Sequence, residues 1–142
     1  MKLLSESFSP RSTILIRVIA LIGFADSIYL SAQHFLNRIP PCSVVEGCET
    51  VLTSEYAVIS GVPLALLGVV FYLLMLAVPS RALATAGFMA SLVLLYLQLF
   101  VIDAICLYCL VSLGTSTLLF ITTLYAYNSG DGSVVGREEH QG

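Results

Sequence analysis

The stretch YLQLFVIDAICLYCL, residues 96–110, decides how this chain folds. Apolar sequence runs on both sides of it, over about residues 82–102 and 104–127, and hardly more than Asp103 divides the two. One continuous helix through both, rising about 1.5 Å per residue, would reach about twice the ~30 Å hydrocarbon thickness of a bilayer. The chain must turn near Asp103, which makes the two segments separate spans. Working outward, residues 13–36 and 57–78 form two more apolar runs, each of a length that about 20 residues of spanning helix require. The expected fold is an all-α membrane protein, a bundle of four transmembrane helices.

Composition agrees. Of 142 residues, 58% are hydrophobic and 11% charged, with mean hydropathy +0.95, against about 25% charged residues in soluble domains. The net charge of −3 offers no basic surface for nucleic acid. Basic residues mark the cytoplasmic flanks of membrane helices. With the N-terminus inside, Lys2, Arg11, Arg17, Arg81 and Arg137 fall on the inner side and Arg38 alone falls outside. The first run is too long for the apolar core of a signal peptide, and Leu30-Ser31-Ala32 lacks small residues at both cleavage positions. It reads as a retained helix.

Residues 1–12 then form a cytoplasmic arm, residues 13–127 the membrane domain with an outer loop at 37–56, and residues 128–142 a frayed cytoplasmic tail with no second domain. Pro40 and Pro41 hold the loop extended before Cys42. Residues 48–59 read as a short amphipathic helix on the outer surface, with Val51, Leu52 and Tyr56 on the membrane and Glu49 and Glu55 wet. Small residues at helical spacing, Gly23, Ser27 and Ser31 in the first span and Gly61, Ala65 and Gly68 in the second, suit close backbone packing in lipid.

Parity places the outer loop and the turn at Asp103 on one face, which gathers all four cysteines there. Cys106 and Cys109 stand at i and i+3 where the fourth helix begins, so their sulfurs share a face. The unpaired N–H groups of a helix start favour thiolate, the form that attacks disulfides. Cys106 reads as the more exposed of the two and Cys109 as the deeper. Cys42 and Cys48 enclose five loop residues including Gly47, a flexible pair able to carry electrons between an outside dithiol and the membrane pair. Covalent haem is set aside because Leu110, not histidine, follows Cys109. Four thiolates could ligate zinc, although the wide spacing of Cys42 and Cys48 is loose for a structural site, and no metal is expected. Two static disulfides remain open as a non-enzymatic, structural reading, yet closure over so short a loop as C-x-x-C removes little chain entropy.

With these motifs in hand the chain resembles the vitamin K epoxide reductase family, and its bacterial members most. The resemblance rests on GCETVLTS at 47–54, GVPLALLG at 61–68 and AICLYCL at 104–110, and it covers residues 14–124. It implies a membrane thiol oxidase that supports disulfide formation by passing electrons to a quinone of ubiquinone, menaquinone or phylloquinone type. Under it Cys106 and Cys109 are the active-site pair with Cys109 beside the quinone, Cys42 and Cys48 are the shuttle pair, and Ser54 lies near the quinone. It also implies an exported thioredoxin-fold partner that meets Cys42, a separate protein because no such domain follows the last span. Vertebrate epoxide-reducing members carry a tyrosine where this chain has Leu113, and use a second-span asparagine where this chain has none. Epoxide reduction in a vitamin cycle is therefore the lesser reading.

Other residues have two readings each. Asp26, deep in the first span, either handles protons during quinone reduction or bonds a Ser or Tyr in helix packing, the latter favoured. Ser54 would alternatively cap the turn at Glu55-Tyr56. Tyr96 and Gln98 could touch a quinone headgroup, although interfacial anchoring explains the tyrosine equally. His34 reads as solvated at the outer membrane edge.

Overall fold

Helix α1 (Pro10–Phe35) starts where the sequence supplies both a cap and a helix-ready φ: the Ser9 side chain accepts the Ser12 N–H at 3.4 Å, and proline holds the first position. This computed structural model describes residues 8–41 and 47–138, with side chains as far as Ser129. At its far end Asn37 turns left-handed (φ 49°) and stops α1. After the loop come α2 (Cys48–Leu52) and a 3₁₀ turn (Glu55–Ala57). A hairpin of two-residue strands follows, β1 (Val58–Ile59) and β2 (Val62–Pro63), antiparallel in the register Val58 to Pro63 and Ile59 to Val62. Its turn needs positive φ at both central residues, met by Ser60 (53°) and Gly61 (84°). Then come α3 (Leu64–Ala77), α4 (Arg81–Tyr96) capped by Ser80 onto the Leu83 N–H at 3.2 Å, a π-helical turn (Leu97–Val101), and α5 (Leu107–Glu138).

Among the described residues, three helical stretches are long and apolar enough to cross a membrane: Pro10–Phe35, Arg81–Val101 and Leu107–Ser129. The second expected span is shorter than its hydropathy suggests. β-branched Val58, Ile59 and Val62, with the Ser60-Gly61 turn, draw the first residues of that apolar run into the hairpin, and the 14 residues of α3 rise only about 21 Å. The fold is therefore mostly helical with one small sheet, not helical throughout. Gly61 belongs to the turn and not to the helix stripe. The amphipathic helix also comes shorter than read: Glu49 and Glu55 are exposed, but Val51 is buried within the protein and Tyr56 is 47% exposed. At the other end α5 stays helical through Glu138, over residues read as a frayed tail.

Helix α1 packs on both α3 and α5, and α4 packs along α5. The core gathers Ile16, Ile19 and Ala20 of α1, Tyr72 and Met75 of α3, Ala84 of α4 and Leu119 of α5. Most of the stripe of small residues does what its spacing suggested. Gly23, Ser27 and Ser31 are buried; a methyl group at Gly23 would collide with the Tyr72 ring, and one at Gly68 would lie 2.7 Å from the Ser27 hydroxyl. Room at Gly23 lets Tyr72 reach through to α5, where its hydroxyl meets Thr115 Oγ1 at 2.7 Å and Ser112 Oγ at 3.1 Å. A hydroxyl inside an apolar bundle needs such partners. At the opposite end Arg81 lies 3.9 Å over the Tyr127 ring, tying α4 to α5.

Candidate functional site

The site is built where α4 gives way to α5. The π-helical turn ends with the Ile102 N–H on the Leu97 carbonyl at 2.8 Å, and Asp103 then adopts φ 53°. The Ala104 N–H returns to the Gln98 carbonyl at 3.0 Å. The expected turn at Asp103 is present, made by a left-handed residue that Asp tolerates better than most. Helix α5 begins at Leu107, so Cys106 is its N-cap residue: the Cys106 carbonyl accepts the first helical bond, from the Leu110 N–H at 3.1 Å.

That placement contributes to the acidity of Cys106. It precedes the spanning segment, and its thiol is lowered from the ordinary value near 9.0 to about 7. The hydrogen bond from the Cys109 thiol is the largest cause; burial opposes it, and the backbone N–H groups of Cys109 and Tyr108 add to the lowering. These two are the helix-start donors that a capping side chain normally accepts. The sequence spacing C-x-x-C therefore sets its cysteines at the N-cap and third helical positions.

Of the described cysteines, Cys106 and Cys109 are free thiols and Cys48 is disulfide-bonded. Cys48, Val51 and Cys106 form one buried cluster, walled by Leu52, Ile102, Ala104, Tyr108 and Cys109. Cys106 is wholly buried and Cys109 only partly, the reverse of the expected order. The cause is α2, which lies over the start of α5 and covers Cys106. Gly47 permits that approach, because a methyl group there would sit 2.5 Å from the Ile105 carbonyl oxygen and 2.6 Å from the Ile105 nitrogen. On the other side of the loop the Tyr108 hydroxyl donates to the Pro41 carbonyl at 3.3 Å. Cys42 lies outside the described residues, but the chain on both sides of it is held against the start of α5. A cavity of about 460 Å³ opens beside this junction, lined by Gly47, Thr50, Gln98, Leu99, Asp103, Ala104 and Ile105.

Asp26 approaches from α1. Tyr29, one turn further along, meets the Tyr108 ring at 5.6 Å between centroids, so this face of α1 looks at the C-x-x-C helix. The Asp26 carboxylate acts electrostatically on Cys106, Cys109 and Tyr108. Its buried Oδ2 has no hydrogen-bond partner, which is not the packing bond to Ser or Tyr favoured from sequence. Ser54 donates its hydroxyl to the Val51 carbonyl at 2.7 Å and makes no side-chain cap for the 3₁₀ turn, so it closes α2 and does not start the next element. Tyr96 is exposed and stacks on Phe100 at 5.0 Å, as an anchoring tyrosine would. Gln98 points inward, 3% exposed, and accepts the Cys106 N–H at 2.9 Å. His34 is exposed beside Phe35. Among the described residues no group of three or more His, Cys, Asp or Glu is placed to hold a metal.

Tyr108, Tyr29 and Gly47 acquire roles that sequence reading did not assign. Tyr108 was visible inside C-x-x-C, and Gly47 was visible beside Cys48; what each touches depends on the fold. Compared with known proteins, the chain matches the vitamin K epoxide reductase family over residues 14–124. No curated protein matches it.

Proposed function

Since this chain belongs to the vitamin K epoxide reductase family, whose members are oxidoreductases, we propose that it is a membrane thiol oxidase serving disulfide formation. Electrons enter from a separate exported thioredoxin-fold protein at Cys42 and Cys48, pass to Cys106 and Cys109, and leave to a membrane quinone. One observation carries this reading: disulfide-bonded Cys48 shares a buried cluster with the free thiol of Cys106, while Cys109 is partly open. Two static disulfides would not bring one pair's cysteine against the other pair's thiol.

The exchange balances in two steps. Once the partner has reduced Cys42 and Cys48, the Cys48 thiolate attacks the Cys106 sulfur of an oxidised Cys106–Cys109 pair, giving a Cys48–Cys106 bond and releasing Cys109 as thiolate. The Cys42 thiolate then attacks Cys48, re-forming the loop disulfide and releasing Cys106. A low-pKa thiol leaves faster, so the capped Cys106 is well suited to be expelled. A bound quinone supplies the acceptor for two electrons and two protons. The residues present fit such a group: Cys109 is the partly open thiol, and Asp26, whose carboxylate acts electrostatically on it and whose buried Oδ2 has no hydrogen-bond partner, is the residue assigned to take its proton. Ser54 fits less well, because its hydroxyl hydrogen is already given to Val51 and a quinone oxygen offers it nothing to accept.

In this reading the protein crosses the membrane four times, with α3 as the short span, both termini in the cytoplasm and the cysteines on the outer face of the cell membrane. The test mixes purified protein with a reduced thioredoxin-fold partner and a soluble quinone and follows quinone absorbance. Cys109→Ala should abolish quinone reduction, and Asp26→Asn should slow it by about a hundredfold, the lower range for a lost proton-transfer group. Cys42→Ala should block electrons from the protein donor yet spare those from a small dithiol; equal loss with both donors would overturn the assigned order.

A further inference from the structure

The C-x-x-C helix start is completed by a residue outside it. In a helix capping box the N-cap side chain accepts the N–H of the third helical residue, while a carboxylate at that third position accepts the N-cap N–H in return. Here the first half is present, with the Cys106 sulfur receiving the backbone N–H of Cys109. The second half cannot come from the third position, because that position is Cys109. Gln98 supplies it instead: its side-chain Oε1 accepts the Cys106 N–H at 2.9 Å, and its backbone carbonyl accepts the Ala104 N–H at 3.0 Å. The side chain is 3% exposed, so water does not substitute for it. The π-helical turn is what brings residue 98 to this place, widening the last turn of the α4 stretch beneath the residues that lead into α5.

We propose that Gln98 is the positioning residue of the redox pair, standing in for the acid of a capping box so that a cysteine can occupy the third helical position. An amide suits this task better than a carboxylate. A negative charge against Cys106 would oppose thiolate formation, whereas a neutral oxygen fixes the N–H and leaves the helix-start field directed at the sulfur. The hydrogen bond of Gln98 goes to the Cys106 backbone N–H and not to a thiol, so it acts through the backbone. The proposal rests on reading Cys106 and Cys109 as the redox pair, but its test uses neither quinone nor protein partner.

The experiment titrates thiolate absorbance in the reduced, detergent-solubilised protein and follows amide hydrogen exchange of the segment 104–110. In Gln98→Leu the Cys106 N–H loses its acceptor, the segment should exchange at least tenfold faster, and the thiolate midpoint should rise by about one pH unit, the order of a lost helix cap. Gln98→Glu keeps an acceptor oxygen, so exchange should stay within about twofold of the parent while the midpoint rises through charge alone. That split between the two readouts is one a purely structural role would not produce. Gln98→Asn, one methylene shorter, should behave as the leucine variant and replaces it if that variant fails to fold. An unchanged thiolate midpoint in a folded leucine or asparagine variant would overturn the proposal. Failure of quinone turnover with these titrations as expected would count against the relay alone.

Discussion

Two thiols one helical turn apart are not equivalent. Cys106 accepts a hydrogen bond from the Cys109 thiol and, holding the N-cap position, also collects backbone donors of the helix start, so its thiol falls to about 7; Cys109 sits within the first turn as the donor. The sign of the pH effect follows. Below pH 7 Cys106 is protonated and a poor nucleophile and leaving group; above it the thiolate predominates, whereas a cysteine at the ordinary value of 9.0 would wait about two pH units longer. The thiolate absorbance of the reduced protein should therefore rise through a midpoint near pH 7 and level off above it. A profile that keeps rising to pH 9 would show that the cap does not act on Cys106. At this scale the sequence made the four cysteines and Asp26 visible as chemistry, through residue type and spacing. It could not rank the exposure of Cys106 and Cys109, because the cover over Cys106 comes from a segment more than fifty residues away.

The elements around the site serve to hold short pieces of chain in register. Helix α2 is five residues long, too short to be stable alone, and is held by burial of Cys48 and Val51 against the start of α5. Its approach depends on the missing side chain at Gly47. Gly47→Ala should push α2 away from the Ile105 backbone, slowing exchange between the two cysteine pairs at least tenfold while a small dithiol still reduces Cys106–Cys109 at the parent rate. Rapid quenching and trapping of the mixed disulfide measures this, and unaltered exchange would show that α2 does not depend on that contact. Element boundaries were legible at Asp103, where hydropathy and bilayer thickness together demand a turn. They were not legible at residues 57–63, where hydropathy suits a span and β-branched side chains with a Ser-Gly turn make a hairpin instead.

At the scale of the whole molecule, apolar side chains face outward on every long helix, among them Leu21, Phe100 and Leu118, while the interior keeps hydroxyls satisfied around Tyr72. This is the distribution a chain needs when its surroundings are lipid. The proposed topology sets Ser9 inside and Arg38 outside. In a chain whose four cysteines are serine, Arg38→Cys should react with a membrane-impermeant maleimide on intact cells, and Ser9→Cys only after the cells are opened. Labelling in the opposite order would invert the arrangement and remove the exported thiols on which the relay depends.

Sequence alone determined that the chain belongs in a membrane, that it turns at Asp103, and that two close cysteine pairs lie within its folded part. These follow from composition, from helix rise against bilayer thickness, and from spacing, all of which are local or additive properties. The tertiary structure decided that α2 buries Cys106, that α3 is shortened by a hairpin, that the Asp26 carboxylate acts on the thiols while its buried Oδ2 has no hydrogen-bond partner, and that Gln98 accepts the Cys106 N–H. The first and third join segments distant in sequence, set by which helix faces meet, whereas the hairpin and the Gln98 bond are short-range and depend on turn and π-helix geometry that hydropathy does not report.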